Sequence, residues 1–394
     1  MALDEQMLSR LLDAAIPDYL AHKHLDITVV MRTRGRDELP GSFQALLAFI
    51  DAAPELELFR GGEYRLAGSG GTATPALLLG FLLGSAARNS PAVAVAQLQG
   101  YLAATEIPCI RRTLITGVIA AAPFQLDANT RFIPLHRHFD DGDPILQEEV
   151  QRMESSYGVS RPMGILEAGV TIPRIHVAAG APIPGDPLTA DARAPVMALQ
   201  LVCSSAVFGP MTWHHVPPWV FGAPSGTRYY QLLPERTLIH QLSDGDIAEA
   251  QALQERLTAL PPADFDLLWL MVHRLSLAQS HKQLAENAID LRIAYEMTFF
   301  FGEDTGGYQG ELKFRLALHA SRLLRKSHED REVIRAAGNA LYRISSAVIH
   351  SGRVPQQYAK AAPDVLRNGA GIVREGLKYI VLNGAPDWQR LLLE

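Results

Sequence analysis

The sequence predicts a multidomain α+β chain: a mostly helical N-terminal region, a β-rich middle domain and an all-α bundle at the C-terminus. Apolar residues recur at helical spacing toward both ends. Between about 106 and 242, short β-rich runs alternate with Gly, Pro and Asp. The net charge of -6 also divides unevenly: residues 261–394 carry 17 Lys+Arg against 15 Asp+Glu, leaving 19 against 27 for the remainder. Such a split fits separate domains. The expected boundaries are 1–105, 106–242 and 243–394.

In chain order, Leu3, Met7, Leu11 and Leu12 give a first helical stripe and Phe43 to Ile50 a second. Gly68-Ser69-Gly70-Gly71 is expected as a loop; with Thr72 it lacks the Gly-Lys-Ser/Thr ending of a phosphate-binding loop. Thr74-Pro75 then opens an apolar helix over Ala76 to Ala87, and Ala92 to Leu102 forms another. The expected strands are Thr113–Ile119, Thr130–Leu135, Gly169–Val177, Val196–Val207 and Arg228–Leu233. Ala181 to Pro187 is a breaker between strands. From Asp244 onward, helices are expected over 246–259, 264–278, 281–301, 310–325, 329–349 and 363–382, a pattern that reads as a bundle.

The composition, 48% hydrophobic and 20% charged, is that of a folded soluble chain. No apolar run is long enough to span a membrane. The start, Met1-Ala2-Leu3-Asp4-Glu5, has no basic region followed by an apolar core, so no secretory signal is expected. Cys109 and Cys203, far apart in apolar surroundings, read as buried free thiols of a cytoplasmic protein. A balance of +2 in the C-terminal region makes a weak electrostatic footprint for nucleic acid. Any RNA contact there must be local, or shared between subunits.

The segment from Ser327 to Gly352 carries the candidate chemistry. Ser327-His328-Glu329-Asp330 has capping-box spacing. Val333, Ile334, Ala337, Leu341, Ile344 and Val348 form one apolar face. Arg335, Asn339, Arg343, Ser346 and His350 fall on the opposite face, while Ser345 sits beside the apolar stripe. Arg343 and His350 are seven residues apart, so they point the same way, about 10 Å apart along the axis. An aligned Arg and His can hold a phosphate and move protons near neutral pH. On periodicity alone, a solvated polar face explains such a stripe better.

Four segments in order give this region a family likeness. They are Ala288 to Glu296, Gly310 to Leu324, Leu341 to His350, and the tail ending Gly384-Ala385-Pro386-Asp387-Trp388. The region from about 265 to 394 resembles the HEPN domains, and among them the Apea-like group of bacterial proteins. The resemblance implies an all-helical bundle that homodimerises, often with a metal-independent ribonuclease site of Arg, four to six residues, then His. Arg343 and His350 match that signature at its long end. The Apea-like pattern has Tyr, two residues, Arg-Ser, then Val-His-Gly; counted from Tyr342, its Arg position holds Ser345, and Ser351 follows the His.

The resemblance therefore implies an endoribonuclease that cleaves by 2′-hydroxyl transesterification in anti-phage defence or a toxin-like role. Arg343 and His350 would be catalytic, with no metal or other cofactor. The alternative is a catalytically degenerate HEPN module that dimerises and binds RNA, a nucleotide or a protein. Asn339 and Ser346 lie beside the pair as candidate substrate contacts. Arg315, His319, Arg322 and Lys326 form a basic stripe that could guide an RNA backbone. Asp290, Glu296 and Tyr342 are expected to be structural or orienting, Glu296 toward Arg343 or Arg315. The regions before 243 would sense a protein or phage-derived trigger. His136-Arg137-His138 with Asp140, Asp141 and Asp143 fits no specific zinc spacing. Trp213-His214-His215 with Trp219 and Phe221 reads as a packed aromatic loop.

Overall fold

The computed structural model describes residues 3–22, 26–33, 35–66, 69–135, 163–178, 192–222, 229–230, 238–303, 312–325 and 327–393. His136 to Asp143, the breaker 181–187, Gly68 and Lys326 lie outside the described residues.

The chain is a mixed α+β fold that divides into two compact units. The first comprises Met1–Arg111, Gly169–Ala190 and Trp213–Arg228; the second comprises Arg112–Ala168, Asp191–Thr212 and Tyr229–Glu394. These units do not follow the expected boundaries at 105 and 242. Segments of the middle region belong to both, because the chain passes from one unit to the other at Arg111, Ala168 and Thr212.

The elements run α1 (Glu5–Ala21), α2 (Ile27–Thr33), α3 (Gly41–Ala52), β1 (Glu63–Leu66), β2 (Ser69–Thr72), α4 (Pro75–Arg88), α5 (Pro91–Ala103) and β3 (Glu106–Thr116). Next come β4 (Val118–Ile119), β5 (Phe124–Gln125), β6 (Thr130–Pro134), β7 (Gly164–Pro173), β8 (Ile175–Val177), α6 (Arg193–Val202), β9 (Phe208–His215), β10 (Tyr229–Tyr230) and β11 (His240–Gln241). The C-terminal helices are α7 (Asp244–Thr258), α8 (Pro262–Ser280), α9 (Leu284–Phe299), α10 (Leu312–Leu324), α11 (His328–Ser351), α12 (Gln356–Ala359), α13 (Ala362–Asn383) and α14 (Trp388–Leu393).

In the first unit, the helices bury Leu8, Leu12, Phe43, Leu46, Leu47, Ile50, Leu79 and Leu82. Thr74 and Ser90 cap α4 and α5, each followed by Pro at the start of the helix, where a missing N–H costs nothing. The expected Gly-rich loop is instead strand β2, paired antiparallel with β1, which also pairs with β8. A glycine-rich strand has no alternating side-chain pattern, so its pairing is not legible in the sequence. Phe221 packs edge-on to Phe59 at 4.8 Å, in keeping with a packed aromatic segment. Beside it in sequence, His214 is buried, and burial pushes its pKa down to about 4.

Six strands form one sheet in the order β10-β9-β3-β7-β6-β5. Glu167 of β7 lies opposite Arg131 of β6 and accepts from it and from Arg112 of β3, each Nε at 2.9 Å. The expected strand over Val196–Val207 is mostly helix α6. All its residues from Ala194 to Val202 are buried, and a short apolar run of this kind is read from sequence as a buried strand or a buried helix alike. Gln200 within it is satisfied on both sides, accepting from Ser276 Oγ at 2.8 Å and donating to Gln279 Oε1 at 2.9 Å.

The six expected C-terminal helices lie within a few residues of their expected bounds, while the short helices α12 and α14 were not expected. Helices α8, α9, α10, α11 and α13 pack together around Leu275, Leu291, Tyr295, Leu316, Leu341, Val373 and Leu377. Cys109 and Cys203 are buried and free. Among the described residues, no helix is long and apolar enough to cross a membrane.

Candidate functional site

Helix α11 begins at Ser327, whose hydroxyl accepts from the Asp330 N–H at 3.1 Å. Glu329 and Asp330 occupy its first turn and His350 its last, the charge order the helix dipole favours. It ends at Gly352, which caps with φ 68 and donates its N–H to the Val348 carbonyl at 2.7 Å. Glycine adopts that left-handed turn without strain.

The inward face is Ile334, Gly338, Leu341, Ile344, Ser345 and Val348. Gly338 is essential to it. A Cβ there would lie 2.3 Å from the hydroxyl of Tyr295 on α9, so only glycine allows the two helices this spacing. Val333, expected in the apolar stripe, is 67% exposed; it lies about 80° from Leu341, at the stripe's edge in the first turns.

Ser345 is fully buried, and its hydroxyl turns back to the Leu341 carbonyl at 2.9 Å. The position where the Apea-like pattern carries its arginine is therefore part of the core in this chain. Arg343 and His350 are both exposed. Neither side chain makes a hydrogen bond or ion pair with any described residue. Asn339 and Ser346, on the same face, are half-buried.

Tyr342 is held from behind. Its hydroxyl accepts from Arg292 Nη2 at 3.1 Å, and the guanidinium stands 4.5 Å from its ring centre. Arg292 in turn donates to Glu296 Oε1 at 2.6 Å. Glu296 thus orients Arg292, contrary to the expectation of Arg343 or Arg315. Arg292 was missed in the sequence, although its spacing of four from Glu296 is a recognisable helical ion pair. Asp290, on α9, accepts from Arg274 Nη1 at 2.7 Å and His281 Nε2 at 2.8 Å. It fastens α9 to the end of α8 and is structural.

The expected basic stripe does not form a continuous cationic track. His319 is 1% exposed, stacks on Trp388 at 4.4 Å and donates Nδ1–H to the Phe299 carbonyl at 2.8 Å. Burial lowers its pKa, and the ring faces the core. Arg315 is ion-paired with Glu303 and lies over Phe300. Arg322 is half-buried at the end of the same helix. The stripe fails because Trp388, remote in sequence, covers the face that helical spacing assigns to solvent.

The described geometry therefore places Arg343 and His350, both accessible, two turns apart on the outer face of α11, backed by its buried inner face. Comparison with family models, with curated proteins and with solved structures returned no match, so the functional reading rests on these residues.

Proposed function

We propose that the C-terminal helices form a HEPN-like, metal-independent endoribonuclease that acts as a homodimer in a toxin-like or anti-phage role. The observation that carries this reading is the exposure of Arg343 and His350 on one helix face with no partner of their own. Exposed side chains engaged in no internal pair remain available to a ligand. Activity is the deciding measurement.

In this reading, one imidazole accepts the proton of a ribose 2′-hydroxyl as its oxygen attacks the adjacent phosphorus. The bond from phosphorus to the 5′-oxygen breaks, and a protonated imidazole gives that oxygen its proton. The products are a 2′,3′-cyclic phosphate and a 5′-hydroxyl. Arg343 stabilises charge on the non-bridging oxygens. About 10 Å of helix rise separates Arg343 from His350, too far for one chain to bring both onto one phosphate easily. A second copy of α11 across a two-fold axis supplies the missing His and Arg.

The second reading is a binding module without catalysis. The buried Ser345 favours it, since the usual arginine position cannot reach a substrate. Incubating the protein with single-stranded RNA in EDTA, beside Arg343→Ala and His350→Ala, separates the two. Cleavage by the wild type alone, leaving cyclic phosphate ends, supports the ribonuclease. RNA binding without cleavage leaves the module; no cleavage by the wild type removes the ribonuclease, and no binding of RNA besides leaves the module only a nucleotide or a protein as partner.

A further inference from the structure

Helix α13 carries Arg374 against a cavity of about 390 Å³ within the second unit. The cavity is lined by the end of α8 (Ala278, Gln279), the start of α9 (Leu284, Asn287) and the residues Leu366, Ala370 and Arg374 of α13. Neither Arg343 nor His350 lines it. Its size is that of small-molecule sites, with apolar walls and few polar groups.

Arg374 is the unusual member. Its Nε is shut off from solvent and has no hydrogen-bond partner. No described residue makes a hydrogen bond or ion pair with its guanidinium. Burial disfavours its charge and lowers its pKa, yet an arginine stays protonated. The side chain as a whole is half-buried, and Glu375, the nearest negative charge, is itself paired with Arg325, so the edge of the guanidinium toward the cavity is open to an anion. The neighbouring polar groups do not occupy that edge. Gln279 is spent on Gln200 and the Ser204 carbonyl. Arg367, two turns earlier on α13, is a second cation at the cavity and pairs only with exposed Asp364 at 3.0 Å.

We infer that this cavity binds a small molecule with an oxyanion head, set against Arg374, and an apolar body lying along Leu284, Leu366 and Ala370. The head is a carboxylate or a phosphate, since either presents oxygens to a guanidinium edge. The site supplies the charge, and the ligand completes the pair that the protein alone leaves open.

The test uses the full-length protein with hexanoate, hexyl phosphate and hexan-1-ol as probes, read by calorimetry and by the thermal midpoint. At least one anion binds the wild type and raises its midpoint, while the alcohol does not. The tighter anion identifies the head group. Arg374→Met removes the charge at similar volume. It weakens anion binding at least tenfold. Arg374→Lys keeps the charge without the two-pronged edge, and weakens binding less than the methionine variant. The proposal is overturned if neither anion binds, if hexan-1-ol binds equally well, or if Arg374→Met binds like the wild type. None of these results depends on RNA cleavage.

Discussion

The outer face of α11 and the body of α9 behind it use the same kinds of side chain to opposite ends. On α9, Asp290, Arg292 and Glu296 each have a specific partner within hydrogen-bond distance. On α11, Arg343 and His350 have none among the described residues. Charged groups in a protein interior must be paired to be tolerated, whereas exposed ones need no pairing. The difference separates groups that hold the bundle from groups free to act on something else. It also predicts which substitutions change activity and which change stability.

The largest effect expected is on activity. Arg343→Ala and His350→Ala each lower RNA cleavage by roughly 100- to 10,000-fold, the usual contribution of a positioned acid–base or charge-stabilising group. Both leave folding free energy within about 0.5 kcal/mol, as exposed substitutions do. Denaturant titration beside a cleavage assay measures both quantities. A large stability loss in either variant would erase the distinction between the two helices.

The second effect lies on α9. Asp290→Ala leaves Arg274 and His281 facing a partly buried gap. Losing hydrogen bonds to a charged group costs about 2–3 kcal/mol, seen as a lower denaturation midpoint. Cleavage by the remaining folded protein stays at the wild-type rate. If the variant keeps full stability, water replaces the carboxylate and the pairing on α9 is not what holds it.

The third effect tests the contact between the helices. Gly338→Ala presses a methyl group on the Tyr295 hydroxyl, which is itself fixed by donating to the Leu316 carbonyl at 3.3 Å. Overpacking of this kind costs about 1–3 kcal/mol, outweighing the roughly 1 kcal/mol that alanine gains over glycine within a helix. On α13, Gly371 has nothing within 4 Å of an added Cβ. Gly371→Ala is therefore stabilising, by about 0.5–1 kcal/mol. The same substitution with opposite signs on two helices is the signature of close approach at Gly338.

Much of this arrangement was legible in the sequence. The six C-terminal helices, the capping serine at 327 and the exposed pair of Arg343 and His350 all follow from helical period. Ser345 was also placed rightly, beside the apolar stripe. What escaped was set by distant partners. His319 has the spacing of a solvent-facing residue, yet Trp388 buries it. Helix α6 is buried on every side, and its short apolar run reads as strand or helix alike. Periodicity reports which side of an element is wet, and it fails where no side is, or where a remote segment covers the wet one.

The smallest effect concerns the link between the two regions. Arg292 joins them, donating to Glu296 along α9 and reaching Tyr342, the residue before Arg343. A cycle of Arg292→Met, Tyr342→Phe and the double variant isolates that link. Tyr342→Phe removes the accepting hydroxyl but keeps the ring under the guanidinium, so the hydrogen bond is the main quantity measured. For a half-buried pair, a coupling of about 0.5–1.5 kcal/mol is expected. Cleavage by Tyr342→Phe stays within a few-fold of the wild type, because α11 is fixed mainly by its buried face and the link only trims its position. A loss of cleavage as large as that of Arg343→Ala, with stability unchanged, would move Tyr342 from the supporting set into contact with the substrate. The boundary between the two regions would then fall at Arg292 rather than at the surface of α11.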